Sequence, residues 1–196
     1  MAGNMNTAPP EPPETVAADP LWQAIAGYEF DPPGAERRFR DRLARENGWP
    51  PAYADAAIGE YRRFCYLAMT SGHMVVPSDE IDQVWHLHLL YSERYWDTFC
   101  AGVLGRPFHH APALGGATEA DLHRRMYAGT LASYEAAFGH PPPAALWPPT
   151  ADRFRHAGAQ RRVNMEDYVV LPRLDKPKRI GIAICVIGLI VAIWTL

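Results

Sequence analysis

Pro77-Ser78-Asp79-Glu80-Ile81-Asp82-Gln83-Val84-Trp85-His86-Leu87-His88 decides how the rest of this chain is read. Serine after proline is a good helix N-cap. Asp79, Glu80 and Asp82 then place negative charge in the first turn, at the positive end of the helix dipole. The pattern predicts a helix over 79–101, ended by Gly102 and Gly105. At helical spacing Ile81, Trp85, His88, Ser92, Tyr95 and Phe99 fall on one stripe, and Asp82, His86, Glu93, Asp97 and Cys100 on another. Between Pro77 and Pro112 lie four of the eight histidines and two of the six tryptophans, more chemistry than a helical domain needs in order to fold.

The spacing limits what this chemistry can be. His86 and His88 point about 200° apart on a regular helix, so one metal ion cannot take both. Asp82 and His86 are one turn apart and can meet. His109-His110 follow a Gly/Pro turn that can fold back onto the helix. The candidate ligand set is therefore Asp82, His86 and His110, with His109 as the alternate for the third position. Nitrogen and oxygen donors of this kind suit zinc or another divalent first-row ion. The competing reading is a structural hydrogen bond from His86 to Asp82 that pins a loop. His88 would be a packed histidine near Trp85 and Tyr95. Neither H-E-x-x-H nor C-x-x-C occurs in the chain.

Asp82, Trp85, His86, His88, Tyr95, Cys100, Gly105 and His110 together form a pattern. An acidic residue precedes Trp-His-x-His on a helix, a downstream Tyr and Cys follow, and a Gly-x-x-x-x-His closes it. In this the chain resembles the glycine-rich-domain-containing-protein-like family, over residues 21–154. The resemblance implies a helical domain, with Trp85, His88, Tyr95 and Cys100 as structural motif residues, and assigns no activity. The chain departs from longer members in having no Gly-rich tail; a hydrophobic segment ends it instead.

The 196 residues accommodate one domain with appendages. The net charge of −3 gives no basic bias towards nucleic acid. Cys65, Cys100 and Cys185 make no disulfide framework and fit a reducing compartment. Residues 1–18 are Pro-rich with no apolar core of a signal peptide, and are expected to be a disordered leader. Asp19-Pro20 starts a short helix. A second helix is expected over 35–46, anchored by Phe39 and Leu43 and otherwise rich in arginine. An anionic lipid surface is one reading of that face and ordinary solvation the other. A third helix over 52–70 buries Ala54, Ala57, Ile58, Tyr61, Phe64, Cys65 and Ala68. Thr118 and Asp121 open a further helix that buries Tyr127, Leu131, Tyr134 and Phe138. Trp147 is expected to lay its indole back over the bundle, and 155–179 to be a linker.

Residues 180–196 carry no charged side chain. At 1.5 Å per residue such a helix spans about 25 Å, enough for a short membrane crossing. Lys176, Lys178 and Arg179 precede it and, by the positive-inside rule, keep the domain cytoplasmic. The expected fold is therefore all-α: about four long helices and a short leading one in residues 19–154, followed by a C-terminal transmembrane helix. Two functions are compatible with it. One is a membrane-tethered cytoplasmic binding or scaffold domain for a protein partner. The other is a metal-dependent, hydrolase-like enzyme using the histidine-rich site. Deleting 180–196 should move the protein from the membrane fraction to the soluble fraction. A truncated chain that stays in membranes through a high-salt wash would rule out the anchor.

Overall fold

Proline and glycine set most of the element boundaries. The computed structural model describes residues 10–110 and 117–154, all within one compact unit spanning 1–157. The elements are α1 (Glu14–Ala17), α2 (Pro20–Ala26), α3 (Phe39–Asn47), α4 (Pro51–Thr70), α5 (Asp79–Leu90), a π-helix π1 (Arg94–Leu104), α6 (Ala117–Phe138) and α7 (Thr150–Arg153). There is no strand among the described residues, so the domain is all-α. Asp19 caps α2 by accepting from the Leu21 amide at 2.8 Å, with Pro20 in the first turn. Gly48 ends α3 at φ 66°, a left-handed conformation that a side chain would strain.

Helix α4 is the element on which the others pack: α2, α3, α5 and α6 all lie against it. Its Ala54, Ala57, Tyr61, Phe64 and Cys65 are buried on the expected stripe. Ile58 and Ala68 sit at the edge of that stripe and are only partly buried, as is Leu131 on α6. Burial in the second half of α4 extends all round, through Glu60, Arg63, Tyr66 and Leu67. The two charges are tolerated because their atoms are hydrogen-bonded. Glu60 accepts from Tyr134 at 3.1 Å and from the Trp147 indole at 2.9 Å. Arg63 donates to Tyr134 at 3.0 Å and to the Pro10 carbonyl. Trp147 thus does fold back over the bundle, as a donor to a buried carboxylate. Burial holds the Glu60 proton more tightly than usual, against the attraction of Arg63.

The leader is shorter than expected. Val16 is buried against the core, and the Pro10 carbonyl caps a buried guanidinium, so order begins well before Ala18. The 79–101 helix is also two elements. Ser78 caps α5 as expected, accepting from Ile81 at 3.2 Å. At Tyr91 the backbone turns to φ −89° and ψ 57°, and the chain resumes as π1. The wider π turn places Phe99 and Cys100 both in the core, where a regular helix would leave Cys100 on the polar stripe. Ser92, at the break, is exposed. No helix among the described residues is long and apolar enough to cross a membrane. Residues 1–9 of the expected leader, the Thr118 cap, the linker 155–179 and the anchor 180–196 lie outside the described residues or side chains.

His88 is the polar centre of this core. Its Nδ1 is 3.2 Å from the Tyr61 hydroxyl and its Nε2 is 3.4 Å from that of Tyr28. Phe30, Tyr95 and Phe99 rings surround it, each at 4.9 Å. A neutral imidazole has one donor and one acceptor nitrogen, and two tyrosines can satisfy both. Burial, reinforced by Arg94 and Arg62, pushes its pKa down to about 3. The folded state therefore resists protonation that the unfolded chain accepts near 6.5. Stability from His88 is complete above that pH and is lost as pH falls towards about 3, at roughly 1.4 kcal/mol per unit. Denaturant unfolding at about pH 7 and about pH 5 should show the wild type losing roughly 2 kcal/mol more than His88→Asn. Equal losses would count against a neutral buried imidazole.

Candidate metal centre

Three side chains from two segments meet at the solvent side of α5. Asp82 is in its first turn and His86 one turn further on. His110 arrives on the return segment after π1. Asp82 Oδ1 accepts from His110 Nε2 at 2.7 Å, and Asp82 Oδ2 lies 3.5 Å from His86 Nδ1. One candidate ligand atom from each of the three lies within 4.8 Å of the others. The two imidazole rings are 4.6 Å apart, tilted by 38°. Side-chain exposure is 45% for His86, 25% for Asp82 and 21% for His110, so the cluster is seated but reachable.

The return segment is held by contacts made before His110. Gly105 ends π1 at φ 69°, and the Arg106 amide bonds back to Cys100 at 3.1 Å. The Arg106 side chain donates to the Ala68 carbonyl at 3.0 Å, fastening the segment to the end of α4. Phe108 stacks on Trp85 at 4.3 Å and 14°. Trp85 donates its indole N–H to Tyr95 at 2.8 Å, and Tyr95 donates its hydroxyl to the Phe108 carbonyl. His110 then packs edge-on against Trp85 at 4.5 Å.

The structure thus brings together Asp82, His86 and His110. It separates His109, whose ring turns to Trp96 at 5.3 Å, and it sends His88 to the opposite, buried side. Trp85, Tyr95 and Cys100 are buried supports, and burial raises the Cys100 thiol pKa, as expected of an inert cysteine. Glu93, exposed before π1, does not border the cleft beside the cluster. That cleft, about 400 Å³, is walled by Asp82 and His110, by His73, His109 and His123, and by Arg153 on α7. Sequence reasoning missed Arg153. Its one signal was Pro148-Pro149 followed by Thr150-Ala-Asp-Arg, a start pattern for a turn of helix inside a stretch otherwise taken as irregular.

A family model described as UCP032817-like matches residues 23–127, more than half of the chain, and the chain belongs to that family. The matched stretch contains the whole cluster and ends before Arg153. No curated protein and no solved structure matches the chain. The likeness to the glycine-rich-domain-containing-protein-like family gains no link from these comparisons and rests on the motif residues.

Tyr95→Phe should loosen this segment. It leaves the Trp85 N–H without an acceptor and the Phe108 carbonyl without a donor, which costs about 1–3 kcal/mol. Thermal melting should fall accordingly, and amide exchange at 108–110 should accelerate. Unchanged exchange there would show that the relay does not hold the His110 segment.

Proposed function

We propose that this member of the UCP032817-like family is a helical binding domain that holds one divalent first-row metal ion, zinc foremost, through Asp82, His86 and His110. The observation that carries the reading is the Asp82 carboxylate facing both imidazoles, at 2.7 and 3.5 Å. Tetrahedral ligands at zinc bond lengths stand about 3.3 Å from one another, so small side-chain adjustments would close the set. Three protein ligands leave a position open to water or a ligand, and two of the three, Asp82 and His110, line the cleft. The domain would be cytoplasmic, single-pass and tethered to lipid by 180–196, with its ligand or protein partner recognised at the cleft. Kinship with the glycine-rich-domain-containing-protein-like family belongs to the same proposal, on the Trp-His-x-His pattern.

A second reading, metal-dependent hydrolysis, is favoured by one observation: further histidines, His109 and His123, border the same cleft as Asp82 and His110. The Glu93 carboxylate is not among the lining residues.

Elemental analysis of the wild type and of His86→Ala, His110→Ala and His88→Asn, beside their melting curves, tests the metal. Stoichiometric metal should be retained by the wild type and by His88→Asn and lost from the other two while they stay helical. A carefully prepared wild type without stoichiometric metal would overturn the reading. Metal lost equally from all three folded variants would show that the ligand set is wrong.

A further inference from the structure

The cleft beside Asp82 has an uneven balance of donors and acceptors. Among its described lining residues Asp82 is the single carboxylate, and it is already shared by His86 and His110. The other titratable lining residues are Arg153 and four histidines, His110 among them. His73 is satisfied, with Nδ1 3.0 Å from the Met74 carbonyl and Nε2 2.7 Å from the Ser133 hydroxyl.

Arg153 is not satisfied. Its side chain is 11% exposed, and its guanidinium lies over the Tyr127 ring at 4.5 Å and the Phe154 ring at 4.9 Å. Nη2 donates to Asp79 Oδ1 at 3.3 Å. Nε and Nη1 are buried with no hydrogen-bond partner among the described residues. Buried guanidinium donors without acceptors are costly, and such atoms in a native fold call for a partner. Glu80 is the nearby competitor. Burial raises its pKa while Arg153 draws it down, and its Oε2 is also unpartnered. The two side chains attract each other but share no hydrogen bond.

We propose that the cleft binds a small oxyanion, a carboxylate or phosphate group, between the open face of the Asp82–His86–His110 site and the guanidinium of Arg153, whose unpaired N–H groups are covered in this structure and turn to the anion on binding. The metal end rests on the reading above; the Arg153 end stands without it. A guanidinium is suited to both anions because its planar N–H groups match oxygens pairwise. The volume, about 400 Å³, is that of a small-molecule site. The aromatic faces under Arg153 hold it in place, so that little side-chain entropy is lost on binding.

The test is calorimetric titration of the full chain in detergent, with one equivalent of zinc and without metal. Inorganic phosphate and acetate are the ligands and chloride is the control. Arg153→Gln should weaken anion binding about tenfold or more with metal content unchanged. Arg153→Lys, which keeps the charge and the stem, should weaken it less. Glu80→Gln should bind at least as tightly as wild type, because a competitor for the guanidinium is gone. The preferred anion names the ligand class. Arg153-dependent binding by the metal-free chain, beside failure to retain zinc, would sink the metal reading and leave this one standing. Anion affinity unchanged in Arg153→Gln, or no anion binding by the zinc-loaded or metal-free chain, would overturn this proposal and show that water alone satisfies Arg153.

Discussion

The indole of Trp85, the hydroxyl of Tyr95 and the carbonyl of Phe108 form one hydrogen-bonded relay across three segments. Tyr95 can serve both partners only because the chain breaks at Tyr91 and continues as a π-helix. Its amide still bonds back to the Tyr91 carbonyl at 2.8 Å, so the helical ladder resumes at once. π-Turns are costly in backbone geometry and are kept where they aim a side chain. Here the return is a fixed path for residues 105–110, and with it the position of His110 over Asp82. Without the relay, only the Arg106 bonds, the Phe108–Trp85 stack and the Asp82–His110 contact would be left to order that segment.

The two-residue spacing of His86 and His88 separates two kinds of histidine chemistry on one helix. His88 is enclosed by aromatic rings and bonded at both nitrogens by tyrosines, and burial keeps it neutral. His86 is exposed and faces a carboxylate. A motif of this form therefore joins a core to a surface site: the inward imidazole fixes the rotation of α5 about its axis, and that rotation aims the outward one. A change at His88 should be felt at His86 through the helix, without any contact between them.

Much of this arrangement was legible from local rules. The Ser78 cap, the Asp82–His86 turn and a histidine returning after glycine all depend on residues close in sequence. What was not legible depended on breaks in periodicity or on distant partners. The π-helix defeats a 3.6-residue count, so Cys100 was assigned to the wrong face. The burial of Glu60 and Arg63 carries no local signal because their partners, Tyr134, Trp147 and Pro10, are more than fifty residues away. The arginine-rich face of the second helix was open to two readings, ordinary solvation and an anionic lipid surface. In the structure Arg38, Arg40 and Arg42 lie beside Asp31, Asp41, Asp55 and Glu46, so the face is of mixed sign. Exposed pairs of this kind add little stability. They do neutralise the stripe that a lipid surface would need.

The walls of the cleft come from parts of the chain that have little else in common. Ala68 ends α4, His73 to Pro77 form the connection, Asp82 and Trp85 belong to α5, and Phe108 to His110 to the return segment. His123 and Met126 are on α6, and Arg153 is in the last described turn. Helix α7 has only four residues and packs mainly on α6, too short to be stable by itself. A ligand bridging Arg153 and the Asp82 cluster would join this turn to α5. By mass action, whatever binds the folded cleft and not the unfolded chain adds to stability in proportion to the logarithm of its concentration. The same logic explains why unpaired donors are tolerated on Arg153: their cost is carried by the rest of the fold until an acceptor arrives.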